Sequence, residues 1–412
     1  MAEYKYLIIG GGVAGTTAAE TIRKNNPDAS VALVNAEPHR LYSRVMLSKP
    51  NIFLGKVPFE QIWLKSQDWY AKNKIDFLSG KRAVSLNTAD KTVGLDDEQT
   101  LKYDKLLLAI GACARRLPIP GVEKQGIFYV RTLEDGQDMM QAAESAKHAV
   151  VVGGSFIGFE MADLLRQKNI DVSMVFNTEH CWEPVLDPAS GRLVENILEQ
   201  GGVKIYGSSE IKEIQGEDGV AKVVLKNGTE LPCDMLIFGV GVFCPHEWLK
   251  QAGVGLKRGI ITNEFLETSA PDVWAAGDVA EYRDLIVESQ VILGAWINAQ
   301  EQGKTAALNM LGQKQPFKKV SFYATHGFGA TVACVGDAGP APDRERVVRA
   351  MPEAKAGVQL FVKNGRIVGA TTVNRPQDVQ TIVKLIEGRV EVGDKLKELS
   401  DPKFDLKTLL AK

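Results

Sequence analysis

Short apolar runs alternate with segments of helical pattern between residues 4 and 176. An apolar run at 4–9 leads into a glycine-rich turn and a helical segment that ends near Lys24, and a second apolar run follows at 30–34. The same succession returns at 148–176. Because strands that alternate with helices pair in parallel through crossover helices, this pattern predicts an α/β fold with parallel sheets.

The first glycine-rich turn has the spacing of a dinucleotide-binding fingerprint. Gly10, Gly12 and Gly15 follow the first apolar run. The acidic Glu37 follows the second run, 22 residues after Gly15. The first glycine permits a tight turn, the second lets a pyrophosphate approach the backbone, and the third lets helix and strand pack closely. The helix N-terminus then faces the phosphates, and Glu37 is placed to hold ribose hydroxyls.

A second turn of this kind contains Gly153, Ser155 and Gly158, with Ser155 in place of the middle glycine. Glu179 lies 21 residues after Gly158. Two such turns, each set between a strand and a helix, predict two dinucleotides and the transfer of hydride or electrons between them. The alternative is a pair of glycine-rich turns that bind nothing.

The composition excludes several other classes of protein. Lys plus Arg number 49 and Asp plus Glu 51, a net charge of −2, whereas a nucleic-acid-binding protein needs a basic surface. No apolar run approaches the ~18 residues of a membrane span. The five cysteines are scattered without a Cys-x-x-Cys motif, and the five histidines are dispersed. We therefore expect a reducing, cytoplasmic setting and no metal site.

Further along the chain, the residue pattern predicts a β-hairpin followed by a helix. Apolar runs at 359–362 and 366–370 flank Lys363-Asn364-Gly365, a sequence typical of a β-hairpin turn. A helical pattern follows at 377–386.

Five further stretches carry a resemblance to a known family. They are 37–49 (EPHRLYSRVMLSK), 107–121 (LLAIGACARRLPIPG), 131–135 (RTLED), 268–278 (TSAPDVWAAGD) and 296–303 (WINAQEQG). Together with the two glycine turns they resemble the FAD-dependent pyridine nucleotide-disulfide oxidoreductases, which have the glutathione-reductase fold. Within that family the chain is most similar to the branch of ferredoxin and rubredoxin reductases, monodehydroascorbate reductase and apoptosis-inducing factor.

The resemblance implies an order of domains and a set of cofactor-binding residues. An FAD domain would comprise 1–113 and 246–318, an NAD(H) domain 114–245, and a C-terminal α+β domain 319–412. The residues expected to bind FAD are Gly10, Gly12, Val13, Ala14, Gly15, Glu37, Arg44, Lys49, Val84, Ala109, Gly111, Arg131, Gly277, Asp278 and Trp296. Those expected to bind NAD are Gly153, Ser155, Phe156, Ile157, Gly158, Glu160, Glu179 and Gly241.

Three of these residues are also the expected catalytic residues. Hydride transfer needs the nicotinamide ring stacked on the flavin rather than an acid or a base. The resemblance implies that Lys49 and Glu160 form an ion pair beside the flavin, where Lys49 offsets negative charge on the reduced ring, and that Trp296 covers the ring. The alternatives are a surface lysine, a solvated glutamate and a core tryptophan.

Residues 40–49 contain no cysteine, although disulfide reductases of this fold place a redox-active pair shortly after the first βαβ unit. A thiolate relay is therefore excluded there, and electrons are expected to leave directly from the flavin. We expect an NADH-dependent reductase of a ferredoxin or rubredoxin, acting as a monomer or homodimer. Reduction of monodehydroascorbate or a quinone, and slow redox sensing like that of apoptosis-inducing factor, remain as alternatives.

Charged residues bear on the choice of nicotinamide cofactor and of carrier. Between Phe176 and Glu183 there is no Arg or Lys to bind a 2′-phosphate, and the next is Arg192. Glu179 suits free ribose hydroxyls, so NADH is expected over NADPH. The sequence also predicts a basic rim that binds an acidic carrier, formed by Arg40, Arg44, Lys49, Lys56, Arg115 and Arg116. The alternative is that these residues form a solvated surface and phosphate contacts.

Overall fold

The computed structural model describes residues 1–410, and contacts within the chain divide it into two compact units. Unit 1 comprises Met1–Ser43, Glu60–Cys113 and Val242–Ser321. Unit 2 comprises Arg44–Phe59, Ala114–Gly241 and the residues from Phe322 onward. Residues 44–59 and the C-terminal region thus group with the residues around the second glycine turn.

The described residues form strands, α-helices and short 3-10 helices. The strands are β1 (Ala2–Ile9), β2 (Val31–Asn35), β3 (Asp76–Ser79), β4 (Ala83–Asn87), β5 (Thr92–Leu95), β6 (Thr100–Leu108), β7 (Cys113–Ala114), β8 (Ile127–Tyr129), β9 (His148–Val152), β10 (Asp171–Val175), β11 (Val203–Tyr206), β12 (Ile211–Gln215), β13 (Lys222–Leu225), β14 (Glu230–Pro232), β15 (Met235–Phe238), β16 (Val242–Phe243), β17 (Ile260–Thr262), β18 (Val273–Ala275), β19 (Ala280–Asp284), β20 (Ser289–Val291), β21 (Phe322–Gly327), β22 (Ala330–Gly336), β23 (Glu345–Met351), β24 (Ala356–Lys363) and β25 (Arg366–Val373). The α-helices are α1 (Val13–Asn25), α2 (Pro50–Phe53), α3 (Trp69–Lys72), α4 (Leu133–Ala142), α5 (Phe156–Gln167), α6 (Pro188–Gln200), α7 (Trp296–Met310), α8 (Pro376–Glu387) and α9 (Leu396–Leu399). Short 3-10 helices occur at Arg44–Ser48, Phe59–Ile62, Glu247–Leu249, Pro352–Ala354, Gly393–Lys395 and Leu406–Leu410.

Unit 1 is built on a mixed sheet with a parallel centre. Its strand order is β3-β2-β1-β6-β5-β4, and β18 also pairs with β6. Strands β1, β2, β3, β6 and β18 run parallel, with Leu7 opposite Leu106 and Leu106 opposite Val273. The C-terminal half of β1 is buried at every position, which explains its uninterrupted apolar run. A second sheet has the order β17-β19-β20.

Unit 2 contains a parallel sheet and two antiparallel ones. The parallel sheet has the order β11-β10-β9-β15-β8. Strands β12, β13 and β14 form a small antiparallel sheet, and the C-terminal region forms the antiparallel sheet β21-β22-β25-β24-β23, against which α8 packs. The buried core runs from the parallel sheet through α5 to the C-terminal sheet, where it includes Val332 and Val373.

The predicted α/β fold with two Rossmann-like sheets and a C-terminal α+β region is confirmed. The predicted hairpin joins β24 to β25. Its turn residues Asn364 and Gly365 have φ of 49° and 71°, the left-handed pair that a type I′ turn requires. The helical pattern at 377–386 corresponds to α8. Among the described residues, no helix combines the length and apolar character that a bilayer span requires.

Candidate functional site

The first glycine turn of unit 1 leaves open space beside the N-terminus of α1. Gly15 packs so closely that a Cβ atom there would lie 1.9 Å from the Gly10 carbonyl oxygen. A Cβ atom at Gly12, in contrast, would meet no other atom within 4 Å. The unpaired N–H groups at a helix N-terminus attract anions. The turn therefore fits a pyrophosphate, with tight packing at Gly15 and room at Gly12.

Asn35, at the end of β2, orders the loop that carries Glu37. Its Oδ1 accepts a hydrogen bond from the Gly11 N–H (3.1 Å), and its Nδ2 donates to the carbonyl groups of Glu37 and His39 (both 2.9 Å). The Glu37 carboxylate accepts a hydrogen bond from the Tyr42 hydroxyl (2.7 Å). Sequence reasoning selected Glu37 and missed Asn35, whose only signal is a polar residue closing an apolar strand.

The start of α1 packs against the segment that holds Gly277 and Asp278. A Cβ atom at Gly277 would lie 3.2 Å from the Cβ atom of Ala14, so the two predicted FAD-binding residues are neighbours. The Asp278 carbonyl accepts a hydrogen bond from the Cys244 thiol (3.4 Å). Trp296, half-buried, is the first residue of α7.

The other residues of unit 1 that are predicted to bind FAD lie at strand ends and on a sheet edge. Val13 begins α1. The Ala109 N–H donates to the Ile9 carbonyl (2.7 Å), which places the end of β6 beside the end of β1. Gly111 follows with a left-handed φ of 65°. Val84 lies on β4, and its side chain is 45% exposed.

Three residues predicted to bind FAD, namely Arg44, Lys49 and Arg131, lie in unit 2. The Arg44 guanidinium donates a hydrogen bond to the Arg131 carbonyl. The Arg131 N–H donates to the Asp135 carboxylate (3.1 Å), which also completes the N-terminal cap of α4 together with Thr132. The basic side chain of Arg44 is thereby fixed against the start of a capped helix.

The second glycine turn, in unit 2, repeats the geometry of the first. A Cβ atom at Gly158 would lie 1.9 Å from the Gly153 carbonyl oxygen. Ser155 is the N-cap of α5, and its side chain makes no capping hydrogen bond. Ile157 packs toward Gly239, at the end of β15. This turn therefore also presents free N–H groups at a helix N-terminus.

Phe156 and Gly241 complete the predicted NAD-binding residues near this turn. The Phe156 ring lies 4.8 Å from that of Tyr323 and 5.6 Å from that of Trp182, measured between centroids. Gly241 has a φ of 88°, and a Cβ atom there would meet nothing within 4 Å. The backbone at Gly241 is therefore open to a ligand.

Two carboxylates lie in the loop after β10. Glu179 is exposed, and its N–H donates to the Glu183 carboxylate (2.8 Å). The cation that follows in sequence, Arg192, donates to the Glu195 carboxylate (2.6 Å). This contact, together with the nearby charge of Glu195, raises the pKa of Arg192 above its usual value. The loop thus presents negative charge, and Arg192 is paired with a carboxylate.

The Glu160 carboxylate on α5 is the centre of a buried polar cluster. Oε2 accepts a hydrogen bond from the Ser48 hydroxyl, and Oε1 accepts from the Lys49 ammonium group and from the Thr325 hydroxyl, the last at 2.6 Å. Glu160 is 8% exposed and Thr325 is fully buried, whereas the Lys49 side chain keeps 30% exposure. The structure therefore brings together the predicted pair Lys49 and Glu160. It adds Ser48, from the same motif as Lys49, and Thr325, which no motif in the sequence marks.

Some members of the predicted basic rim are engaged within their own unit. The Arg40 guanidinium lies 4.1 Å from the centre of the Trp63 ring in unit 1. In unit 2, the Arg116 guanidinium lies 4.8 Å from the centre of the Tyr129 ring. These cation–π contacts hold the two side chains in place and leave their charge undiminished.

None of the five cysteines forms a disulfide. Burial raises the pKa of Cys233 and of Cys334 to about 12 in each case, and raises that of Cys181 still further. Within residues 1–410, no group of three or more His, Cys, Asp or Glu side chains is arranged to hold a metal ion.

Comparison with protein families gives two matches that together span most of the chain. Residues 4–303 match the family described as pyridine nucleotide-disulphide oxidoreductase, and residues 325–410 match a reductase C-terminal domain.

Two curated relatives are similar over almost the whole chain. The ferredoxin–NAD(+) reductase component of the biphenyl dioxygenase system of Paraburkholderia xenovorans (strain LB400) is 32% identical over 407 residues, which is 98% of this chain and 97% of that protein. Apoptosis-inducing factor 3 of Mus musculus is 30% identical over 384 residues, covering 92% of this chain and 62% of that protein.

Two solved structures have the same fold over their full length. The covalent complex of putidaredoxin reductase with putidaredoxin contains a chain that superposes with a TM-score of 0.91 at 26% identity, covering 100% of this chain and 99% of that one. The ferredoxin reductase for the CYP199A2 system from Rhodopseudomonas palustris superposes with a TM-score of 0.88 at 28% identity, covering 98% of this chain and 99% of that one.

Proposed function

This chain belongs to the pyridine nucleotide-disulphide oxidoreductase family, and from that membership we propose that it passes electrons from NADH through FAD to a small ferredoxin- or rubredoxin-like protein. The family assigns it FAD and NAD(P)H as cofactors, and it is an FAD-dependent oxidoreductase. The observation that carries the proposal is the pairing of two dinucleotide turns with a Lys49–Glu160 ion pair whose carboxylate is buried, and with no disulfide.

The residues of each unit fit the nucleotide that we assign to it. In unit 1, the open space at Gly12 and the N–H groups at the start of α1 would hold the FAD pyrophosphate, and Glu37 would hold the adenosine ribose. In unit 2, the turn at Ser155 would hold the NADH pyrophosphate. Bound FAD supplies the ability to accept a hydride and to release the electrons one at a time.

The Glu160 cluster fits a role in that chemistry. The Lys49 ammonium group is a cation suited to stabilise a ring system that gains electrons. A hydrogen bond to Glu160 holds the ammonium group in one place while part of the Lys49 side chain stays exposed. We therefore assign catalytic roles to Lys49 and Glu160, and we assign Trp296 the role of covering the flavin.

NADH is the proposed electron donor rather than NADPH. A 2′-phosphate on the adenosine ribose would face the exposed carboxylates of Glu179 and Glu183. Arg192 is already paired with Glu195. Free ribose hydroxyls can instead donate to Glu179.

An E179Q variant tests the choice of nicotinamide. We expect the KM for NADH to rise several-fold and the ratio of kcat/KM for NADH to that for NADPH to fall, because the variant loses a charged hydrogen-bond acceptor and a source of repulsion for phosphate. The matched control is E199Q, an exposed glutamate on α6. A wild-type enzyme with equal kcat/KM for both nucleotides would contradict the proposal.

The carrier is proposed from relatives whose names specify one. The Paraburkholderia relative is a ferredoxin–NAD(+) reductase component, and the structure with a TM-score of 0.91 is a reductase bound to putidaredoxin. Because the cysteines form no disulfide that could relay electrons, the electrons would leave directly from the flavin, one at a time, which suits an iron–sulfur acceptor.

A steady-state assay with purified carriers tests this assignment. NADH oxidation should accelerate at least about tenfold with a ferredoxin or rubredoxin over the rate with oxygen alone. Failure with every carrier, together with a long-lived NADH-reduced flavin and a change in molecular size, would favour the redox-sensing role suggested by the similarity to apoptosis-inducing factor 3. Rapid turnover with monodehydroascorbate or quinones alone would favour the other alternative.

We also propose a cytoplasmic location, because five cysteines that form no disulfide suit a reducing compartment. A monomer or homodimer is the proposed assembly, which light scattering of the holoenzyme would test.

A further inference from the structure

Two buried amide side chains on α7 have one polar atom each without a partner in the protein. Gln302 is fully buried, and its Oε1 accepts a hydrogen bond from the Gly277 N–H (2.8 Å), but its Nε2 has no hydrogen-bond partner. Asn298 is 1% exposed, and its Nδ2 donates to the Leu293 carbonyl (3.0 Å), but its Oδ1 has no partner. The two residues lie one turn apart and so on the same face of the helix.

The orientation of both amides is set by their existing hydrogen bonds. An N–H group such as that of Gly277 needs an oxygen opposite it, and a carbonyl such as that of Leu293 needs a donor. Turning either amide over would place two donors or two acceptors together. The unpartnered atoms are therefore a donor at Gln302 and an acceptor at Asn298.

The surroundings of the two amides belong to the proposed FAD site. Gly303, next to Gln302, packs so closely on α1 that a Cβ atom there would lie 2.2 Å from the Ala14 carbonyl oxygen. Since Oε1 and Nε2 belong to one amide group, the free donor lies beside Gly277 and the start of α1. Asn298 is tied to Leu293, and a Cβ atom at the following Gly294 would lie 3.5 Å from the Asp278 carboxylate carbon.

A buried polar atom that lacks a partner destabilises the folded protein, so such atoms are rare unless a ligand or water satisfies them. FAD has both an acceptor for the Gln302 amide N–H and a donor for the Asn298 amide oxygen. Its pyrophosphate oxygens accept hydrogen bonds, and its ribityl hydroxyls donate them.

We propose that Gln302 and Asn298 are FAD-binding residues: Gln302 Nε2 donates to a pyrophosphate oxygen, and Asn298 Oδ1 accepts from a ribityl hydroxyl. The inference rests on the proposed role of FAD in unit 1. FAD would then be bound both by the glycine turn and by two side chains of α7, which lies almost 300 residues further along the chain. FAD binding thereby also stabilises the packing of α7 on α1.

Titration of the apoprotein with FAD, followed by quenching of flavin fluorescence, tests the pair. Q302E keeps an acceptor for Gly277 but replaces the free donor with a negatively charged acceptor, and Q302M removes the amide. Both should raise the Kd for FAD at least about tenfold, the effect of losing a hydrogen bond to a charged group. N298L should raise it about threefold or more, the effect of losing a neutral hydrogen bond.

The matched control is N309L. Asn309 is a buried amide on the same helix, but its Nδ2 donates to the carbonyls of Phe265 and Gln315 and its Oδ1 accepts from the Gln315 N–H, so both of its polar atoms already have partners. N309L should lower the Tm of apoprotein and holoprotein alike and leave the Kd for FAD within twofold of wild type.

Three results would overturn the inference. Wild-type affinity in both Gln302 variants would mean that a buried water satisfies the Gln302 amide, and wild-type affinity in N298L would remove Asn298 from the site. If the variants do not fold, hydrogen exchange of the Gln302 side-chain amide can be measured in 15N-glutamine-labelled wild type with and without FAD. An exchange rate that is the same in both would exclude the contact between Gln302 and FAD. Failure of the wild type itself to bind FAD would instead refute the proposed function.

Discussion

At the scale of single residues, the Glu160 carboxylate collects hydrogen bonds from side chains that are far apart in the sequence. Ser48 and Lys49 lie 112 and 111 residues before it, and Thr325 lies 165 residues after it. A carboxylate has about four acceptor sites, so three protein donors hold it in one orientation. Glu160 thereby fixes the Lys49 ammonium group, and Thr325 acts on Lys49 only through Glu160.

The K49A variant should keep FAD but slow its reduction by NADH. Loss of a positioned cation that stabilises developing charge lowers the rate by about tenfold or more. Stopped-flow absorbance of the flavin measures this rate. K168A is the control, because Lys168 also forms an ion pair, with Glu144, in unit 2. Reduction of K49A at the wild-type rate would refute the catalytic role.

The T325V variant should have a smaller effect on the same rate. Valine keeps the shape but leaves Glu160 Oε1 with Lys49 as its remaining donor, so we expect flavin reduction to slow a few-fold and stability to fall by about 1–2 kcal/mol. T325S should restore both. T331V is the control, since the Thr331 hydroxyl bonds to the exposed His326 ring (2.9 Å) instead. Equal stopped-flow rates in T325V and wild type would leave Thr325 a purely structural role.

At the scale of secondary-structure elements, the glycines in the first strand–turn–helix have two different roles. Gly15 is needed because α1 approaches the turn so closely, whereas Gly12 lies in an extended conformation (φ −69°, ψ −171°) with empty space before it. The first use concerns packing, and the second concerns the ligand.

The G15A and G12A variants should therefore differ. G15A forces α1 away from the turn, and overpacking of this kind costs about 1–3 kcal/mol, so the Tm of the apoprotein should fall by several degrees. G12A should melt like the wild-type apoprotein but bind FAD at least about tenfold more weakly. Calorimetry of both apoproteins, with FAD titration, checks this. A G12A variant with wild-type FAD affinity would contradict the assignment of that space to the pyrophosphate.

At the scale of the whole molecule, burial divides the five cysteines, none of them in a disulfide, into two classes. Cys181, Cys233 and Cys334 are buried with raised pKa values, whereas Cys113 and Cys244 are half-buried. A thiol reacts as its thiolate, and burial disfavours the charged form.

Ellman's reagent at pH 8 should therefore label at most two thiols in the native protein and all five after denaturation. Raising the pH should not add a third labelled thiol while the protein stays folded, because burial raises the pKa values of Cys181, Cys233 and Cys334 well above the usual range. Rapid labelling of a third thiol in the native protein would contradict this division.

The local sequence pattern was sufficient to predict those elements whose conformation depends on residues close together in the sequence. The two glycine turns and the β24–β25 hairpin are set by spacing and by the left-handed residues Asn364 and Gly365. The pair Lys49 and Glu160 was selected through resemblance to a family, because no local rule connects residues 111 positions apart.

The sequence by itself determined the α/β class and the two glycine turns, because periodicity and glycine spacing are properties of short segments, and its motifs resemble the family that the comparison confirms. Only the tertiary structure decided that Thr325 and Ser48 join Glu160, that Asn35 orders the Glu37 loop, and that Asn298 and Gln302 keep a free acceptor and a free donor. The physical reason is that hydrogen-bond satisfaction and burial depend on which distant segments pack together, and a single polar residue in a sequence does not reveal its partner.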